Sequence, residues 1–120
     1  MSPAEVIKLH HNGVRKINVD GHAFEMDFDD AELLRQMLEL THRIAEVSED
    51  TTRSVEERLT SLLAFADDAR AVIDRAFGEG AYVKLFGDKV PIIQAMSLVT
   101  KLAQMAGPAY DAMFSEYTAN

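Results

Sequence analysis

Phe77-Gly78-Glu79-Gly80-Ala81-Tyr82-Val83-Lys84-Leu85-Phe86-Gly87 divides the chain into an acidic part before it and a nearly neutral part after it. The stretch holds three of the six glycines. Gly78 is suited to end a long helix in the left-handed conformation, and Gly87 is suited to close a short helix over residues 81–86. No Lys-Ser or Lys-Thr pair follows the glycines, so the pattern does not indicate a phosphate-binding loop.

The side chains between the glycines are too apolar for a solvated connector. Tyr82, Leu85 and Phe86 are therefore expected to be buried, either against the core, where they would join the two parts of the chain, or against a partner protein.

Composition indicates a protein of ordinary globular type. The chain has 120 residues, a net charge of −8, 48% hydrophobic residues and no cysteine. We predict a leader over residues 1–13 and a single domain over 14–120. The absence of cysteine excludes disulfides and thiolate sites, and no run approaches the roughly 20 apolar residues of a membrane span. A location in the cytoplasm is compatible with these features.

The negative charge is concentrated in residues 27–79, which contain fourteen acidic residues and six basic ones, all arginine. Such a surface repels phosphate, so nucleic acid is not expected as a partner, and no membrane is expected either. Two interpretations stay open. The charges form a solvated helix surface, or they form a face that receives a basic partner.

Residues 14–28 predict a β-hairpin. The Asp20-Gly21 pair is typical of a two-residue turn, and that turn sets Val19 opposite His22 and Lys16 opposite Glu25. Five apolar side chains then fall on one face: Ile17, Val19, Phe24, Met26 and Phe28. This face predicts packing against helices, because an isolated hairpin is marginal in water.

Two long amphipathic helices follow, over residues 30–47 and 54–77. Asp29 is the expected N-cap of the first, and Ser54 with Glu57 forms a capping box for the second. A short turn over 48–53 is favoured, with a continuous helix as the alternative. The second helix has apolar residues at 4-3 spacing for three heptads, namely Val55, Leu59, Leu62, Ala66, Ala69, Ile73 and Ala76. This seam packs within the domain or against another chain.

The last third predicts a helix over 91–106, a break or kink at Gly107-Pro108, and a short helix over 109–117 beyond it. The short helix carries apolar residues that suit the core but also suit an adaptable binding surface. Together the segments predict an α+β fold, mostly α, with an N-terminal β-hairpin packed on a four- to five-helix bundle. Seven apolar residues are candidate partner contacts: Tyr82, Leu85, Phe86, Tyr110, Met113, Phe114 and Tyr117.

Catalytic, cofactor and metal sites are not expected. His10 and His11 are adjacent in an unpatterned segment and lack a third ligand. Asp27, Asp29 and Asp30 lack the glycine and distal glutamate of a calcium loop, so helix capping explains them better. No serine lies in a nucleophile turn, and the chain is expected not to be an enzyme.

The order of the segments resembles a family of small proteins encoded among the tail genes of phages and prophages of Gram-positive bacteria. The matching parts are Ile-Asn-Val-Asp-Gly-His-Ala-Phe-Glu-Met-Asp-Phe (17–28), the acidic helix from Asp29, and Phe77–Gly87. The resemblance covers roughly residues 15–105. Members are regarded as tail assembly chaperones or as proteins of unknown function.

This resemblance implies a non-enzymatic protein that binds the tape-measure protein, tail-tube subunits or both during tail assembly in the host cell. It carries over no catalytic residue. The alternative function is an acidic protein-binding module, antitoxin-like or a decoy, that acts on a basic partner. Self-association into a homo-oligomer is compatible with the hairpin edges and the long apolar seam.

Overall fold

A computed structural model describes residues 3–9, 13–49 and 52–118. It confirms an α+β fold, mostly α, with an N-terminal antiparallel hairpin and four helices. In chain order the elements are β1 (Val14–Val19), β2 (His22–Asp27), α1 (Ala31–Glu49), α2 (Val55–Phe77), α3 (Ala81–Phe86) and α4 (Ile92–Thr118). Residues 3–9 form no helix or strand and are exposed.

The hairpin has the predicted register, with Val19 opposite His22 and Lys16 opposite Glu25. Asp20 and Gly21 both have positive φ, 50° and 88°, as a two-residue turn between twisted strands requires. The Asn18 side chain accepts a hydrogen bond from the Gly21 N–H at 2.8 Å. Met26 and Phe28 lie in the core, and Ile17, Val19 and Phe24 pack against it, so the apolar face of the hairpin packs on the helices as the alternation predicted.

Gly13 extends the strand pairing by one further hydrogen bond, since its carbonyl accepts from the Phe28 N–H at 2.9 Å. Gly13 is buried. A Cβ added there would lie 2.8 Å from Asp27 Oδ1 and 2.9 Å from the Asp29 Cβ. At the end of the predicted leader, the backbone at Gly13 thus lies so close to residues 27–29 that a side chain there would clash, which favours glycine.

The expected N-cap of α1 is wrong by one residue. Asp30, rather than Asp29, accepts a hydrogen bond from a first-turn N–H, that of Leu33, at 3.2 Å. The Asp29 N–H instead donates to the Asp27 side chain at 2.9 Å. The strand pairing that reaches Phe28 places Asp29 in the turn, so the helix begins one residue later.

Both caps of α2 lie at the residues that the sequence predicts. The Ser54 hydroxyl accepts from the Glu57 N–H, and Gly78 follows the last turn, but its φ of 110° and ψ of 154° are not the left-handed helical conformation expected for it. A break separates α1 from α2 as predicted, but it begins two residues later than the predicted turn over 48–53, because α1 continues to Glu49. Residues 52–54 are not helical. Residues 50–51 lie outside the described part of the chain.

The structure shows no break at Gly107-Pro108, and residues 109–117 do not form a separate helix, so this alternative of the prediction is wrong. α4 is one helix of 27 residues with Pro108 inside it. Buried Ala106 and Met113 continue the apolar stripe across the proline. Pro108 and Gln104, whose carbonyl would accept the missing N–H bond, are both exposed. Water can satisfy that carbonyl, so packing outweighs the local cost of proline.

The core lies between the hairpin and the four helices and includes Met26 and Phe28 from the hairpin region. α1 contributes residues up to Leu40, and α2 contributes residues from Phe65 onward. None of the described side chains between residues 41 and 64 is fully buried. The fully buried residues therefore fill one end of the α1–α2 pair, and toward the other end Ile44 is only partly buried against them.

Candidate functional site

The candidate contact residues of α3 pack inward. Tyr82 is only 4% exposed, and Leu85 and Phe86 are half-buried against the core. The Tyr82 N–H donates to Asp74 Oδ1 at 2.9 Å, and its ring meets Phe86 edge to face at 5.0 Å between centroids. Burial raises the pKa of the Tyr82 phenol. These residues join α3 to α2, as their apolar character predicted.

The candidate contact residues of α4 differ among themselves. Met113 is buried, Tyr110 is half-buried and Phe114 is 52% exposed. The rings of Tyr110 and Phe114 are tilted against each other, with centroids 4.8 Å apart. The side chain of Tyr117 lies outside the described residues. Partner contact by the seven residues stays a prediction, and Phe114 is the member with the most exposed described side chain.

A further exposed apolar surface lies at the end of the α1–α2 pair that the fully buried residues do not fill. We call this end, residues 41–49 and 52–64, the tip. Val55 is 68% exposed and Leu59 is 52% exposed, while Leu62 is half-buried. We call these three residues the open seam. The 4-3 spacing of apolar residues predicts these positions as part of the seam, but it does not indicate that their side chains are exposed to solvent.

A cleft of about 250 Å³ lies between α1 and α2 beside the open seam. We call it the arginine cleft. The described residues that line it are Arg43, Glu46, Val47, Arg53, Arg58, Ser61 and Ala64. Among these residues, three guanidinium groups and one carboxylate border a small concave surface within the acidic part of the chain.

The three arginines of the cleft differ in how they are paired. Arg43 forms an ion pair with Asp68, and Arg53 donates to the Ser61 hydroxyl at 3.2 Å. The guanidinium of Arg58 has no ion pair or hydrogen bond to any residue that the structure describes. Arg58 is therefore available to an incoming negative group, which sequence reasoning missed because charge counts do not show pairing.

The other arginines of this region are already engaged. Arg35 pairs with Glu32 and Glu39, Arg75 pairs with Asp30, and Arg70 lies over the Tyr82 ring. The Arg35 guanidinium lowers the pKa of the Glu32 carboxyl, and the Arg75 guanidinium lowers that of Asp30. These three guanidinium groups thus already contact another described side chain, whereas the guanidinium of Arg58 does not.

The described residues include no group of three or more His, Cys, Asp or Glu side chains that could hold a metal ion. Asp30 accepts a hydrogen bond from the Leu33 N–H, which is the helix-capping role expected of this aspartate cluster, whereas Asp27 accepts from the Asp29 N–H in the turn before α1. His10 and His11 lie outside the described residues. Within the described ranges, no helix is both long and apolar enough to cross a membrane.

Residues 20–120 match the model of a protein family described as "Family of unknown function (DUF6673)". The chain belongs to this family. The DUF6673 match includes β2 and all four helices, so it covers the open seam, the arginine cleft and the end of α4. No curated protein and no solved structure shows significant similarity to the chain.

Proposed function

We propose that the chain is a non-enzymatic tail assembly chaperone that binds an amphipathic helix of a phage tail protein on the open seam. The observation that carries the proposal is the exposure of Val55 and Leu59 on a helix seam whose other half forms the core. The tape-measure protein, with tail-tube subunits as the second candidate, is the partner that the resemblance implies. The interaction would take place in the cytoplasm of the host cell.

The physical basis is the shape and polarity of the tip. Apolar residues that repeat every 3.5 positions along an exposed helix form a seam into which the side chains of a second helix can insert. Covering a Val or Leu side chain that is now exposed is favourable by about 1–2 kcal/mol. The charged residues around the seam would keep the complex in solution while the apolar face of the partner is covered.

Co-expression with the tape-measure protein of the same tail gene cluster tests the proposal. The wild-type chain is expected to co-purify with it, whereas Leu59→Glu is expected to lose the complex because it places a charge in the seam. Leu38→Glu is the matched control, since Leu38 is also a leucine with 52% exposure but lies on α1 outside the seam.

Two results would count against the proposal. One is the absence of a complex with both the tape-measure and the tail-tube protein at micromolar concentration. The other is a complex that Leu59→Glu and Leu38→Glu affect equally, because binding would then not use the open seam. Circular dichroism of both variants checks that each is folded before the comparison is made.

A further inference from the structure

We propose that α4 binds the same helix of a second copy of this chain, with the two helices antiparallel and the two-fold axis at Ala106. The contact lies on α4 and leaves the open seam of α2 uncovered, so it goes beyond the proposed function. Three observations carry the proposal: an exposed line of residues on α4, the scarcity of charge around it, and opposite charges at equal distances from Ala106.

Six residues form a line along the solvent-exposed side of α4. They follow one another at alternating intervals of four and three positions, so they share one side of the helix. All six are exposed, whereas Ala106 at the middle of the line is buried on the opposite side. We call them the outer line: Ser97, Lys101, Gln104, Pro108, Asp111 and Ser115.

The exposed side of α4 carries little charge. From Ile92 to Ser115 the sequence contains two charged residues, Lys101 and Asp111, and Glu116 lies beyond the end of the outer line. The positions beside the line, 98, 105 and 112 on one side and 100, 107 and 114 on the other, are all uncharged. Met105 is an exposed apolar side chain among them. Depletion of charge together with an exposed methionine is typical of a surface that contacts another protein.

The exposed side of α2 provides the comparison. Its charged exposed residues are Glu56, Glu57, Arg58, Asp67, Asp68, Arg70 and Arg75. Scarcity of charge is therefore a property of α4 and not of every exposed helix surface in this chain.

The two charges of the outer line select a second copy as the occupant. Lys101 and Asp111 lie five residues before and five residues after Ala106, and neither has an ion pair or hydrogen bond to a described residue. In an antiparallel pair with its two-fold axis at Ala106, Lys101 of each copy lies level with Asp111 of the other. Two ion pairs then form. A parallel pair would instead place lysine beside lysine and aspartate beside aspartate.

The residues next to the two-fold axis permit a close contact between the two helices. Gln104 lies level with Pro108 of the second copy, and Gly107 lies across from Gly107. A Cβ added at Gly107 would meet nothing within 4 Å, so a second helix has room to approach there. The side-chain amide of Gln104 in the second copy is also a donor for the Gln104 carbonyl, because Pro108 has no N–H to offer it.

The size of the contact predicts a weak, reversible dimer. The outer line is about 27 Å long at a rise of 1.5 Å per residue. A single helix face of this length buries less than the roughly 800 Å² per partner of a standard interface. We therefore expect a dissociation constant of about 10–100 μM.

Sedimentation equilibrium of the full chain between about 5 and 500 μM tests the proposal. Lys101→Glu and Asp111→Lys are each expected to weaken the dimer about tenfold, because each converts both ion pairs into contacts between like charges. The double variant, Lys101→Glu with Asp111→Lys, is expected to restore the wild-type affinity because it reverses both pairs. Circular dichroism checks that each variant is folded.

Lys89→Glu is the matched control, since it makes the same change in net charge as Lys101→Glu at an exposed residue just before α4. It is expected to keep the wild-type affinity. A wild-type chain that stays monomeric at about 500 μM, or a dimer that Lys101→Glu does not weaken, would overturn the proposal and leave the chaperone proposal standing. A dimer that Leu59→Glu weakens while Lys101→Glu does not would also overturn it, because the copies would then meet on the open seam.

A distance measurement tests the antiparallel direction. The chain has no cysteine, so Ser97→Cys provides a single site for a nitroxide label. In the antiparallel dimer the two labelled positions lie about 27 Å apart along the helix axis, because each is level with Ser115 of the other copy. Parallel helices would place them within about 10 Å of each other. Pulsed electron paramagnetic resonance measures this distance, and the short value would overturn the proposed geometry.

Discussion

The two halves of α2 have the same apolar spacing but different surroundings. From Phe65 to Phe77 the helix is covered by the hairpin and the other helices, and Ile73 has no exposed surface. From Val55 to Ala64 no described side chain is fully buried. The contacts that create the difference gather at one end, where Phe77 stacks on Phe24 of the hairpin at 4.6 Å. One half of the apolar seam thus packs in the core and stabilises the fold, whereas the other half stays exposed and can contact a partner.

The largest change in the free energy of unfolding is expected in the covered half of α2, and a pair of substitutions, one in each half, tests this. Ile73 and Leu59 both occupy position a of the heptad, two heptads apart. Ile73→Ala is expected to lower the free energy of unfolding by about 2–5 kcal/mol, because it leaves a cavity in the core. Leu59→Ala is expected to change it by less than about 0.5 kcal/mol, because the side chain already faces water. Urea denaturation of both variants measures the two values.

A cost for Leu59→Ala similar to that for Ile73→Ala would contradict the comparison, because the open seam would then be covered in solution. Repeating the denaturation over a range of protein concentrations shows whether a second copy covers it, since stability of an associated state rises with concentration.

The sequence predicts the local elements well where the signal is local. Asp20-Gly21 fixes the hairpin and its register, and Ser54 fixes the start of α2, because each signal acts within a few residues. Periodicity also predicts which face of α2 is apolar. It cannot separate Leu59 from Ile73, because burial depends on where the hairpin, α3 and α4 pack, and these are distant in the chain.

Dependence on packing between distant segments also explains where the sequence predictions for α4 and for the candidate site differ from the structure. Pro108 is a strong local signal for a break, yet packing of Ala106 and Met113 keeps α4 continuous. In the candidate site, residue type correctly predicted that Tyr82 is buried. The arginine cleft was not found, because Arg43 and Arg58 lie on different helices and only the fold brings them together.

A smaller effect is expected at the covered end, where Arg75 of α2 holds Asp30 at the start of α1 through two hydrogen bonds of 3.0 Å. This pair lowers the pKa of the Asp30 carboxyl. A lowered pKa in the folded state stabilises the protein above the unfolded pKa, and the contribution is lost as pH falls through the folded pKa. Asp30→Asn keeps a capping side chain but removes the charge. We expect its melting temperature at neutral pH to fall by roughly 2–6 °C.

Thermal unfolding of both proteins between about pH 7 and pH 2 provides the measurement. The difference between the wild type and Asp30→Asn is expected to shrink as the pH falls below 3.8, the usual pKa of an aspartate. Asp67→Asn is the control, because it removes the same charge from an exposed residue of α2 outside the described ion pairs. A difference that stays constant with pH would show that the charge of Asp30 does not stabilise the covered end.

The smallest effect is expected where the covered half meets the tip. Arg43 of α1 pairs there with Asp68 of α2, and both side chains are at least one-third exposed, at 36% and 60%. A double-mutant cycle with Arg43→Ala and Asp68→Ala is expected to give a coupling energy of about 0.2–1 kcal/mol that decreases at high salt. The cycle is needed because Arg43 also lies over the Phe65 ring, and the single variant removes both contacts. A coupling well above this range that persists at high salt would mean that the ion pair is shielded from solvent. The ion pair would then hold the tip to the covered half more strongly than the exposure of its side chains indicates. The two halves of α2 would differ in which residues they contain but not in how firmly they are held in the fold.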